Sequence, residues 1–242
     1  MNHAGLLLLA GLLTTGIEEP RTIGDRLELF VDDYLICQMN GVEFRLHEPT
    51  LASEGAAPTG HYATIMLDDG LYRWYYRTSR VDGPDGNTGE VTRYAESDDG
   101  IHWREPHLGL VELDGSLDNN AILANTQYLA HNFTPLMDRR PGVPKEERYK
   151  ALAGIHEGGG LFAFISPDGI HWSKLQEEPV LTSQDFAFDS QNVAFWSEVE
   201  GCYVCYFRHW DTPFGNLRTI RKTTSADFIH WSTPVPMNPN VP

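Results

Sequence analysis

Three stretches of the chain repeat one pattern of hydrophobic and polar positions. The first runs through "HYATIMLDDG", "LYRWYYRTS" and "EVTRYAESDDG". The second runs through "LAHNFTPLMD", "RYKALAGIHEGG" and "LFAFISPDG", and the third through "SQNVAFWSEVEG", "CYVCYFRHWD" and "NLRTIRKTTSADF". Each is a set of short apolar or alternating runs broken by Gly and Asp turns, which reads as strand, turn, strand, turn, strand. A fourth extended run follows each set, as in "REPHLGLVEL". Four strands per unit of about 60 residues is the signature of a propeller blade. The sequence therefore predicts an all-β protein, a β-propeller of four-stranded antiparallel blades near 59–115, 128–182 and 188–237, with one more strand toward the N-terminus.

Each unit carries the same heptapeptide: "SDDGIHW" from Ser97, "SPDGIHW" from Ser166 and "SADFIHW" from Ser225. The motif is expected at the turn between third and fourth strands. There Ser and Asp bond turn amides, Gly100 and Gly169 take conformations other residues resist, and the Trp packs between blades. Phe228 stands where the other copies have Gly, so the third turn is expected to differ. His102, His171 and His230, one per unit, are read as packing residues.

Composition supports a β-rich globular domain, with 6 Trp, 10 Tyr and 11 Phe and 41% hydrophobic residues. A net charge of −16 argues against nucleic acid and anionic membrane surfaces as partners, and leaves a neutral ligand such as a sugar open. Cys202 and Cys205 form a lone C-x-x-C inside an expected strand, where residues three apart point to opposite faces, so no metal site is expected. No P-loop or dinucleotide fingerprint is present, and no cofactor is expected. Residues 1–16 hold an apolar core from Ala4 to Leu13, too short to span a bilayer but suited to a secretory signal, so export is expected.

The Ser-x-Asp-Gly-x-x-Trp turns resemble the Asp-box of sialidases. They are still more similar to blade turns of the five-bladed glycoside hydrolase families 32, 43 and 68. "SADFIHW", "ELFVDDYLI" and "NFTPLMDRRPGVPKEERYKALAG" resemble family 32-like bacterial proteins. The resemblance implies five blades. With three in 17–242, and propellers closing at about four to eight, the sequence predicts a partial propeller and a fragment of a longer protein.

Strand polarity puts the heptapeptides on one rim. The starts of first strands and ends of second strands then lie on the other, around the channel mouth. Substrate-binding candidates at those positions are His61 and Arg77, then His131 and Asn132, then Gln191, Asn192, Arg208 and His209. Mixed neutral and cationic donors suit a polyhydroxylated carbohydrate ligand. Glycoside hydrolysis needs a carboxyl pair, one protonated and one ionised. The resemblance implies a base at Asp32 or Asp33 and a transition-state-stabilising carboxylate at Asp189, and Glu157 is the best remaining acid. A non-catalytic carbohydrate-binding propeller and a sialidase using Arg77 and Arg208 are the alternatives.

Overall fold

A computed structural model describes residues 22–24, 28–29, 31–50, 57–183, 187–211 and 217–237. The chain divides into two units, Met1–Leu51 and Ala52–Pro242. The expected signal segment, 1–16, lies outside the described residues. The described residues of the first unit contain neither strand nor helix, so the additional N-terminal strand is not formed there. Within that unit Asp32 Oδ1 accepts from the Tyr34 amide at 3.0 Å, which fixes a local turn.

The second unit is all-β and consists of three four-stranded antiparallel sheets. The first contains β1 (His61–Asp68), β2 (Leu71–Ser79), β3 (Glu90–Ser97) and β4 (Ala121–Leu123). The second contains β5 (Thr134–Met137), β6 (Tyr149–Ile155), β7 (Gly160–Ser166) and β8 (Ser173–Lys174). The third contains β9 (Val193–Ser197), β10 (Cys202–Asp211), β11 (Leu217–Ser225) and β12 (Val235–Pro236). Within each sheet the strands pair in chain order, and β5 adjoins both β1 and β9. This is the meander of propeller blades side by side.

The fourth strand of the first sheet departs from expectation. "REPHLGLVEL" forms only a bridge from Arg104 to Glu96, and the paired strand is Ala121–Leu123. Pro106 has no amide to donate, and Gly109 sits at φ 69°, both incompatible with a continuous ladder. Asn120 fills the gap: its carbonyl accepts from the Tyr94 amide at 3.0 Å, and its Nδ2 donates to the Tyr94 carbonyl at 2.8 Å.

Alternation along the second strands assigns one face to each neighbour. Tyr75 of β2 packs with Phe133, Ala151, Ala153 and Phe164 of the second sheet. Leu152 of β6, facing the other way, packs with Tyr203, Cys205 and Phe207 of β10. Cys205 is buried and its thiol is pushed up by burial, while Cys202 is half-exposed, as expected for strand neighbours on opposite faces.

The three heptapeptides make one turn three times over. Ser97, Ser166 and Ser225 accept at Oγ from the amide three residues on, at 2.9, 2.8 and 2.9 Å. Asp99, Asp168 and Asp227 each accept two further amides at Oδ1 and the following His Nδ1–H at Oδ2, 2.7 Å away. Two expectations fail here. Phe228 does not change the turn: it adopts φ 69°, against 75° and 77° for Gly100 and Gly169, and keeps every hydrogen bond. Its ring is fully buried, 5.0 Å from Tyr203 and 5.4 Å from Trp231, and this packing compensates the backbone strain. The three histidines are exposed rather than packed, held over the turn by their aspartates. Trp172 does pack between sheets, against Tyr75 and Phe133. Trp103 instead lies edge-on to Trp74 of its own sheet, at 4.8 Å.

Candidate functional site

The rim opposite these turns gathers the charged side chains. His61 and Arg77 pair across β1 and β2, as the strand polarity requires. Arg77 crosses the face of Tyr62 at 4.6 Å and donates to Glu90 Oε1 at 3.0 Å. Glu90, at the start of β3, is a buried anionic hub. It also accepts from the Gly86 amide at 3.1 Å, and both its oxygens lie 3.0 Å from Nδ1 of the fully buried His131. The Gly86 amide also donates to His131 Nδ1 at 3.1 Å, and an Arg77 guanidinium nitrogen lies 2.5 Å from Nδ1 and 3.4 Å from Nε2, so the ring is held between the Glu90 carboxylate and the Arg77 guanidinium.

Asp85, in the loop after β2, extends this network toward the third sheet. It lies 3.9 Å from the Arg77 guanidinium and shares a hydrogen bond with Asp189. Its carboxyl is raised above the usual range, first by partial desolvation and then by the bond to Asp189, while His131 and Arg77 pull it back. Asp189, just before β9, is half-buried and also forms an ion pair with Arg208 of β10. The Arg208 guanidinium lies 5.7 Å from the Trp210 ring.

These groups border a cavity of about 760 Å³. All three sheets contribute to its wall: Asp85 to Thr88 from the first, Tyr128, Ile155 and Glu157 from the second, and Ala187, Asp189, Arg208 and Trp210 from the third. It combines three carboxylates, one guanidinium and two aromatic rings, and its size is that of a small-molecule site. One oxygen each of Asp85 and Asp189 and one ring nitrogen of His131 lie within 4.8 Å of one another, but the Arg77 guanidinium at that ring and Arg208 at Asp189 leave the trio unfit for a dication.

Of the residues singled out in the sequence, Asp189, Glu157 and Arg208 line the cavity. Arg77 and His131 stand behind it and reach it through Glu90 and Asp85. Gln191 joins sheets instead: its Nε2 donates to Thr64 Oγ1 at 2.8 Å, tying the third to the first. Asn192 is buried and donates to the Phe188 carbonyl at 3.2 Å. Asn132 is buried at φ 50°, His209 is buried, and His61 is exposed at the rim. Asp32 and Asp33 are exposed and belong to the first unit. Sequence reasoning missed Asp85, Glu90, Tyr128 and Trp210. Glu90 was within reach, since the start of a third strand shares the rim with the end of the second.

The three-sheet meander and its mouth define a β-propeller. The similar solved structures are of that class. One is an endo-arabinase from Bacteroides thetaiotaomicron VPI-5482, at 11% identity over 75% of this chain and 57% of that one, with a TM-score of 0.52. A thermostable family-43 glycoside hydrolase matches at 10% identity over 76% of this chain and 56% of its own, with a TM-score of 0.50. A β-fructofuranosidase from Schwanniomyces occidentalis, complexed with fructosyl-erythritol, matches at 15% identity over 76% and 35%, also with a TM-score of 0.50. At such identities the likeness is one of fold: the chain shares the β-propeller fold of glycoside hydrolases of families 43 and 32. It spans little more than half of the first two structures and about a third of the other. No protein-family model matches the sequence, and no curated protein matches it.

Proposed function

We propose that the protein is a carbohydrate-active hydrolase that cleaves a glycosidic bond in the cavity at the propeller mouth. The observation that carries this reading is that three neighbouring sheets each deliver a carboxylate, Asp85, Glu157 and Asp189, to one cavity walled by Tyr128 and Trp210. Aromatic rings suit the apolar faces of sugar rings, and carboxylates and guanidinium suit their hydroxyls. Glu157 and Asp189 are the acid and stabilising carboxylates in this reading. Asp85 and Asp189 each bring an oxygen within 4.8 Å of the other, closer than the ~5–9.5 Å between the two carboxyls of a glycosidase, so those two act as one unit. Asp32 or Asp33 is assigned the base role by resemblance alone. Export from the cell, carried by the apolar run at 4–13, places the protein where polysaccharides are met.

A panel of arabino- and fructo-oligosaccharides, assayed for reducing ends and titrated calorimetrically, tests the proposal. Release of sugar by the native protein and its loss in Glu157→Gln, with the fold intact, is the expected result. Saturable binding with no release would move the protein to the binding class. One feature favours that second reading: Asp189 is engaged on both sides, by Arg208 and by Asp85. Neither binding nor release with any carbohydrate would overturn both.

A further inference from the structure

We propose that Asp85 is the base of the hydrolytic site, the carboxylate that takes a proton from the attacking water; the proposal rests on the hydrolase reading above. Resemblance gives that role to Asp32 or Asp33, but those residues belong to the first unit, and the cavity has a carboxylate of its own for it. Of the three that line the wall, Asp189 has its charge committed to Arg208. Glu157 comes from the turn between β6 and β7 and is the acid. Asp85 remains. Its side chain is 53% exposed, so water reaches it, and its nearest guanidinium, Arg77, stands 3.9 Å off and bonds more closely to Glu90, at 3.0 Å.

The backbone beside Asp85 is fixed as that of an ordinary surface loop is not. The Gly86 amide donates to Glu90 Oε1 and to His131 Nδ1, both at 3.1 Å, and the Gly86 carbonyl accepts from the Tyr128 amide at 3.0 Å. Gly86 sits at φ 77°, and a Cβ there would come within 2.5 Å of the Tyr128 ring. The loop is thus pinned against the second sheet, and the buried cluster of Glu90, His131 and Arg77 is its anchor. Proton transfer is fastest from a group already held in place on a rigid support. Asp189 completes the base. Each carboxylate of the pair faces a guanidinium, Arg77 for Asp85 and Arg208 for Asp189, so both can be ionised, and a proton arriving on Asp85 is then shared with Asp189. Desolvation first, and then that sharing, raise Asp85 and make it a stronger base than an ordinary aspartate. In the step itself, the water oxygen bonds the anomeric carbon as its proton passes to Asp85. The glycosidic C–O bond breaks, and the leaving oxygen takes the proton of Glu157. Exchange with solvent then removes the proton from Asp85 and restores the one on Glu157.

The test uses the full chain and the oligosaccharide that the native protein cleaves. Asp85→Asn should lower kcat about 10²–10⁴-fold with sugar affinity retained in calorimetry. Asp82→Asn, exposed on the same loop and outside the cavity wall, should leave turnover unchanged. Asp85→Gly with sodium azide should recover turnover and release a glycosyl azide, because the anion replaces the activated water. The native product should carry the inverted anomeric configuration, as direct attack by water requires. Full turnover in Asp85→Asn would overturn the proposal and leave the hydrolase reading standing. A product of retained configuration would do the same, since retention needs a covalent intermediate on a carboxylate. Loss of sugar binding in Asp85→Asn would also overturn it, as the mark of a binding residue rather than a base. A native protein that releases sugar from no oligosaccharide overturns the hydrolase reading and this assignment with it.

Discussion

The hydroxyl of Tyr203 donates to a carboxylate oxygen of Asp138 at 2.5 Å, across the boundary between the second and third sheets. Asp138 also holds Nζ of the fully buried Lys150 at 3.0 Å. One boundary earlier, Tyr149 makes the same bond to Asp68, with Arg148 on the carboxylate's other oxygen. Burial, and then the bond to Asp68, push Tyr149 up to about 12, and the matching causes, burial and the bond to Asp138, raise Tyr203. A tyrosine near the start of a second strand thus clamps the aspartate that ends or follows the previous sheet's first strand.

The two ends of this clamp differ in what their removal leaves behind. Tyr203→Phe keeps Asp138 satisfied by Lys150 and should cost about 1.5–3 kcal/mol, the range for a hydrogen bond to a charged group. Asp138→Ala strips one carboxylate from a buried lysine and should cost about 3–5 kcal/mol. Glu147 Oε2 also lies 2.7 Å from Lys150 Nζ, so urea titrations of the two variants check the order, and equal costs would mean that Glu147 alone suffices for Lys150.

At the third heptapeptide turn, Phe228 combines a strained backbone with a buried ring. Phe228→Ala loses the ring and keeps the strain, for a cost of about 3–5 kcal/mol. Phe228→Gly loses the ring and relieves the strain, so it should be the more stable of the two by about 1 kcal/mol. Thermal unfolding of the pair measures the difference directly.

The same turns should make stability fall in acid. Burial alone would raise Asp168, but bonds from the His171 and Ile170 amides, the His171 ring and Ser166 outweigh it and hold the carboxyl at about 2. Asp99, bonded first by the His102 ring, is lowered too, and so is Asp227, where the bonds from His230 overcome desolvation. Folded-state values below the unfolded value of about 3.9 give stabilisation that is complete above roughly pH 4–5 and fades as the pH falls toward 2. Denaturation at a series of pH values should show this slope, and Asp168→Asn should flatten it.

In the cavity, Glu157→Gln should lower turnover by about 10²–10⁴-fold, the contribution of a positioned acid or base, with sugar binding retained. Trp210→Ala should instead weaken binding, since it removes a ring from the wall. Matched kinetic and calorimetric measurements separate the two, and a Glu157→Gln protein with full turnover would remove that residue from the chemistry.

Thiol reactivity offers a simple check on the strand assignment. Cys37 is exposed and should react quickly with a disulfide reagent, whereas Cys205, buried with its thiol pushed up, should react only on unfolding.

By itself the sequence determined the first three strands of each blade and the turn that follows them. Strand alternation is a local property with a period of two, and the Ser-x-Asp turn closes on its own amides within a few residues, so both are written where they act. Strand polarity was enough to put Arg77, Asp189 and Arg208 on one rim. What the tertiary structure decided was which rim residues meet. Asp85 and Asp189 are 104 positions apart in the chain, and Glu90 and His131 are 41 apart; no local pattern marks either pair. The same holds for Phe228, which the turn alone would refuse and which Tyr203 and Trp231 accommodate. A side chain's hydrogen-bonding and charge partners are set by the packing of one sheet against the next, and that packing is fixed only when the chain is folded.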